Sequence, residues 1–209
     1  MKKINLIIGS LAMGAILMAT ACNKDEETET NPNPNPEPTS GEVKINELIS
    51  KDTLGLVYID AQGDEADWCE LYNPGDKDIS IAGYFIGDDG EKTDVGKRYE
   101  IPSGSSKATT IPAKGYLILV WGAADANGDD MEGIHNDTLF IPSGLKNSKD
   151  VAIAIWDANG KLVDVSEDFS EGGPLGADGL AKGKSLGRKT DGDKDWVVFD
   201  VPTPGKKNQ

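Results

Sequence analysis

Several residues in this chain have side chains and spacings that could support chemistry. In Asp125-Ala126-Asn127-Gly128-Asp129-Asp130, carboxylate and amide oxygens crowd around a glycine turn. Such loops can gather the hard oxygen ligands that Ca²⁺ prefers. Asp125, Asn127, Asp129 and Asp130 are therefore the candidate calcium ligands, although the glutamate that closes an EF-hand loop is missing and no helices are predicted to flank it. Asp88-Asp89-Gly90 and Asp191-Gly192-Asp193 are similar acidic turns. Asp and Gly favour turns for backbone reasons alone, so acidity there is weak support for a metal. Glu47 and Glu70 are the formal candidates for a carboxylate pair, but hydrolysis by two carboxylates requires a defined separation that sequence spacing does not supply. Glu70 alternates onto the face of Trp68 and Tyr72, where it is predicted to accept hydrogen bonds from backbone amides at a strand crossover. Cys69 shares parity with Leu71 and is predicted to point into the core. His135, the single histidine, falls in Gly133-Ile134-His135-Asn136-Asp137, a predicted exposed loop without partners for a zinc site. No residue is assigned a catalytic role, and no cofactor is required.

Cys22 has a different chemistry. Lys2 and Lys3 precede an apolar run from Leu6 to Ala21. That run is shorter than the roughly 20 residues a bilayer-spanning helix needs, so residues 1–21 are predicted to be a signal peptide. Ala19-Thr20-Ala21-Cys22 resembles the lipobox of bacterial lipoproteins, where the cysteine thiol receives diacylglycerol. Ala19 departs from that pattern, which usually has a larger aliphatic residue there. The next residues, Asn23, Lys24, Asp25, Glu26 and Glu27, resemble the export signal of surface lipoproteins of Bacteroidetes. Alternating prolines from Pro32 to Pro38 favour extended backbone, so residues 22–41 form a lipidated N-terminus and semi-rigid spacer. The expectation is an outer-membrane lipoprotein facing the cell exterior, with the membrane as its first partner.

Residues 42–209 are predicted to be one all-β domain. Apolar residues come in short bursts separated by Gly, Pro, Asn and Asp. Val43 to Ile49 alternates with period two and then switches phase. Tyr116 to Trp121 is continuously apolar, as befits a central strand covered on both faces. Val151–Trp156 and Lys161–Val165 flank Asp157-Ala158-Asn159-Gly160, a hairpin whose Asn-Gly pair suits left-handed turn positions. Seven to nine short strands without a sustained amphipathic helix predict a two-sheet sandwich.

The motif order carries a resemblance. Ile45-Asn46-Glu47-Leu48 is followed by Asp67-Trp68-Cys69-Glu70-Leu71-Tyr72-Asn73-Pro74-Gly75, then Ile79 to Ile86 and Thr110 to Leu117. The hairpin, Ser185-Leu186-Gly187-Arg188 and Asp195-Trp196-Val197 complete the series. Across 42–209 this succession resembles the lamin-tail domain. The resemblance implies an immunoglobulin-like β-sandwich that acts alone or as an accessory to catalytic domains. Residues 52–65 and 125–137 look like insertions, and Cys69 stands where an aliphatic residue is usual.

Charge narrows the partner. With 21 basic and 36 acidic residues the net charge is −15, which phosphate backbones repel, so no nucleic acid is expected. The expected function is a surface-displayed, non-enzymatic binding, adhesion or complex-assembly module whose ligand is a protein or glycan. Trp68, Tyr72, Tyr84, Trp121, Trp156 and Trp196 are the rings available for a sugar platform. The alternative is a calcium-dependent hydrolase, or a calcium- or glycan-binding protein using the acidic loops. As a hydrolase it would require Asp88, Asp89 and Asp125 to Asp130 to converge on one cleft.

Overall fold

The computed structural model describes residues 42–145 and 152–209. The signal peptide, Cys22, the export signal at 23–27 and the spacer lie outside the described residues. In chain order the strands are β1 (Lys44–Ile49), β2 (Asp67–Tyr72), β3 (Ile79–Ser80), β4 (Phe85–Gly87), β5 (Tyr99–Glu100), β6 (Thr110–Ile111) and β7 (Tyr116–Trp121). They continue as β8 (Gly133–His135), β9 (Thr138–Ile141), β10 (Ala154–Trp156), β11 (Leu162–Val165), β12 (Ser185–Arg188) and β13 (Trp196–Phe199). Helix among the described residues is confined to three 3₁₀ turns of three residues each.

A seven-stranded sheet runs β13-β12-β1-β2-β7-β9-β8, and a four-stranded sheet runs β11-β10-β4-β5. A small β3–β6 ladder makes a third piece. The two main sheets form the sandwich. Ile45, Leu48, Cys69, Leu71, Leu119, Leu139, Ile141 and Leu186 from the large sheet meet Ile86 and Ile155 from the small one, with Ile153 just before β10, in a single core cluster. Each aliphatic chain buried this way contributes about 1.5–3 kcal/mol. The immunoglobulin-like sandwich expected from the sequence is the observed fold. It carries more strands than expected, because three have only two residues and the β8–β9 hairpin begins inside the expected 125–137 insertion.

Local irregularities follow from identifiable causes. In β1, Ile45 opposes Leu71 while Glu47 opposes Glu70, so Asn46 is the extra residue of a β-bulge. This bulge is the phase switch seen in the sequence, and it lets Ile45 and Leu48 both face the core. Strand β7 is covered on both faces only in its second half: Leu119 and Trp121 enter the main core, and Val120 packs on the other side. Its first three residues are half-buried. The β10–β11 hairpin also differs from expectation. Of its Asn-Gly pair only Gly160 has positive φ, at 79°, and Asp157 Oδ1 accepts the amides of Asn159 and Lys161 at 2.9 Å each. The side chain of Asp157 shapes a longer turn there, accompanied by a register shift beside Trp156.

The bulge also opens the β1 ladder at Ile45, and a buried ion pair fills the gap. Asp164 on β11 accepts the Ile45 amide at 2.8 Å and pairs with Arg188 Nη2 at 2.7 Å. Arg188 Nε donates to the Ile45 carbonyl at 2.6 Å, and its guanidinium lies 4.6 Å over the Trp196 ring. Both charged side chains are less than one-tenth exposed. Removing one partner strands the other in the interior, so Asp164→Ala or Arg188→Ala should each cost about 3–5 kcal/mol. The double replacement Asp164→Leu, Arg188→Met should cost less than the sum of the single losses, as measured by urea unfolding.

Candidate functional site

The chemistry-bearing residues gather on the outer face of the large sheet, away from the sandwich core. The bulge turns Glu47 outward, directly opposite Glu70 across the β1–β2 ladder, and both are fully buried. The covering layer is the C-terminal segment. Thr203 donates its amide to Glu47 Oε1 at 3.0 Å and its hydroxyl to Oε2 at 2.8 Å, while Ser185 donates its hydroxyl to Oε1. Glu70 accepts the Asn46 side-chain amide at 2.9 Å and the Gly205 amide at 2.5 Å. Beside them Asp191 accepts the Asn208 amide at 3.0 Å and the Tyr116 hydroxyl at 2.6 Å. Asn208 donates its side-chain amide to the Arg188 carbonyl at 2.6 Å. Gly187 is required for close approach, since a Cβ there would stand 2.7 Å from the Phe199 ring.

The expectation that Glu70 binds backbone amides holds at Gly205, and the structure adds Glu47 as its neighbour. Their oxygens are taken by protein donors, so the pair acts as a clamp on the chain end. Burial pushes Glu70 up to about 8, opposed by its hydrogen bonds and assisted by the nearby carboxylates of Glu47 and Asp191. Burial also raises Glu47, against the opposing hydrogen bonds of Ser185 and Thr203. A third acid, the half-buried Asp67, is raised to about 6, again by burial first. For these acids the native state holds its proton more tightly than the unfolded chain. Their contribution to stability is therefore complete below the ordinary carboxylate range and is lost as pH rises toward 8. Thermal melts from pH 5 to 9 should show this decline. Glu70→Gln should be less stable at pH 5, having traded an acceptor for a donor, but should flatten most of the slope.

The two sequence insertions meet on the same outer face. Asp60 accepts the amides of Gln62 at 2.8 Å and Asp64 at 3.0 Å through one oxygen, and that of Ala124 at 3.0 Å through the other. Asp125 repeats the pattern with the amides of Asn127 at 2.8 Å and Asp129 at 3.0 Å. Gln62 then donates its side-chain amide to the Asp125 carbonyl at 2.9 Å. Beneath the loops Ala66, Val120, Ala123 and Phe140 form a small second core with Val57, Tyr58 and Met131 packed against it. Tyr58 meets Phe140 edge-on at 4.9 Å. Together the two loops make one annex.

This placement bears on the candidate calcium ligands. Asp125 uses both carboxylate oxygens inside its own turn, the second accepting the Asn127 side-chain amide at 3.3 Å. Asp129 and Asp130 are exposed. Among the described residues no group of three or more His, Cys, Asp or Glu is arranged to hold a metal ion. Asp89 instead borders a depression with Glu91, Glu167 and Asp168, and none of residues 125–130 lines it. Millimolar calcium, compared with chelator, should leave the melting temperature unchanged. A rise of several degrees that Asp125→Ala abolishes would restore these oxygens as ligands.

The family model of the lamin tail domain matches residues 36–168. The chain belongs to the lamin tail domain family. No curated protein matches it. The match ends before β12 and β13, yet these strands complete the large sheet of this lamin tail domain, β12 pairing with β1 and β13 with β12. Its clamp and its buried ion pair both draw on residues beyond the matched span.

The remaining predicted residues have packing roles in this lamin tail domain. Cys69 is fully buried beside Leu71 as expected, and burial raises its thiol. His135 lies in edge strand β8, where a loop was predicted; it is exposed and its Nε2 is 2.8 Å from the Glu132 carbonyl. Trp68, Trp121 and Trp156 are at most 3 % exposed, and Arg98 lies 3.8 Å over the Trp156 ring. Those three rings present no face for a sugar. Sequence reasoning missed Leu54, Leu56 and Ile59, which lie on the annex at 49 %, 51 % and 57 % exposure. The signal was present as apolar residues clustered inside an otherwise polar insertion.

Proposed function

We propose that this lamin tail domain is the non-enzymatic binding module of a surface-displayed outer-membrane lipoprotein, tethered through lipid on Cys22. In this reading its partner is a protein, engaged by the annex. The observation that carries the reading is the annex itself: two insertions locked together over their own small core, holding Leu54, Leu56 and Ile59 in solvent. Exposed apolar side chains grouped on an ordered surface mark interaction sites. The acidic residues support the same reading, because those best placed for chemistry are committed to backbone amides. A protein ligand is favoured over a glycan because three of the four tryptophans are buried.

Protease treatment of intact cells should release the domain, and Cys22→Ala should abolish incorporation of labelled fatty acid. The triple replacement Leu54→Ser, Leu56→Ser, Ile59→Ser should keep the melting temperature within a few degrees while losing partners captured from the envelope by the wild type. Full protection from protease would remove surface display. Equal capture by the triple variant would remove the annex from the interface.

A further inference from the structure

The large sheet ends in an edge strand whose chemistry is specific. Among the described strands at sheet ends, β8 has three residues and β5 only two. Strand β11 has four, but its Asp164 is tied to β1. Strand β13 is Trp196-Val197-Val198-Phe199, with β12 on one side only. Val198 and the following Val201 are 42 % and 74 % exposed. An open apolar edge of this kind is a template for another strand.

The hydrogen-bond parity of β13 fixes which groups are available. Lys189 donates its amide to the Asp195 carbonyl at 2.8 Å, and the ladder continues with Gly187 opposite Val197 and Ser185 opposite Phe199. In an antiparallel pair, residues alternate between bonding to one side and to the other. Asp195, Val197 and Phe199 therefore bond toward β12, and the amides and carbonyls of Trp196 and Val198 point to the open side. We infer that β13 pairs antiparallel with β13 of a second copy of this chain about a two-fold axis at Val197. That register sets Trp196 opposite Val198 of the other copy, so that the outward groups of both strands meet.

Charge selects the same register. With the axis at Val197, Lys194 faces Asp200 of the second copy, and Asp200 faces its Lys194. Both side chains are more than four-fifths exposed, at 89 % and 82 %. Moving the axis to Trp196 or Val198 keeps the parity but sets Lys194 against Val198 or Pro202 and loses both ion pairs. Asp200 already touches Lys184 at 2.6 Å, so in the dimer it lies between two lysines. Pro202 follows the strand and limits its length, which favours a closed pair over continued stacking. The interface is short, so association is weak and concentration-dependent.

The test is sedimentation equilibrium of the purified protein over a wide concentration range. Wild type should show a reversible monomer–dimer equilibrium. Lys194→Asp should weaken it about ten-fold, since two attractive pairs become repulsive. Lys194→Asp with Asp200→Lys should recover most of that loss relative to either single reversal. Val198→Pro removes an amide that serves only the open side, so it should abolish the dimer while leaving the melting temperature nearly unchanged. A strictly monomeric wild type would overturn the inference and leave the edge to a strand from another protein. A dimer indifferent to Val198→Pro, or a double reversal that restores nothing, would overturn it equally.

Discussion

The bond between Asp164 and Arg188 is the constraint on which the rest of the structure depends. The bulge at Asn46 leaves the amide and carbonyl of Ile45 outside the regular ladder. Buried backbone groups without partners are costly, so a bulge in the middle of a sandwich needs donors and acceptors from elsewhere. Asp164 supplies the acceptor from the small sheet, and Arg188 supplies the donor from the large one. One ion pair thus completes the bulge and joins the two sheets at β1.

The bulge has a second effect on the opposite face. It shifts Glu47 outward against Glu70, and two buried carboxylates in register require a dense set of donors. Ser185, Thr203, Asn46 and Gly205 provide them, and three of these four residues lie in the last quarter of the chain. The C-terminal segment is therefore a structural layer. The annex plays the corresponding role at the other end of the sheet, covering Val120 and Phe140. Between them these two covers turn the outer face of the large sheet from a solvent face into a second interior. Leu54, Leu56 and Ile59 on the annex and Val198 at the sheet edge stay exposed.

How much of this was legible in the sequence depended on the range of the interaction. Alternation revealed β1, and parity within β2 alone placed Cys69 with Leu71 in the core. The phase switch in β1 was visible as a pattern, but its cause lay in Asp164, 119 residues from Ile45. The acidic loops showed the reverse problem. Carboxylates near a glycine look alike whether they gather a cation or cap their own turn, and only the positions of the neighbouring amides separate the two. Asp125 and Asp60 cap their turns, and the pairing of their loops had no sequence signal. Leu54, Leu56 and Ile59 were overlooked because apolar residues in an insertion are ambiguous until it is known whether the sandwich covers them.

By itself the sequence determined the class of fold and the succession of strands, because side-chain periodicity and turn chemistry act within a few residues. It also carried the N-terminal motifs from which membrane attachment is proposed. Tertiary structure alone decided which carboxylates are buried, which loops support each other and which strand edge stays open. Those outcomes depend on groups far apart in the chain. Burial, desolvation and hydrogen-bond satisfaction are set by whatever the completed fold brings against each group.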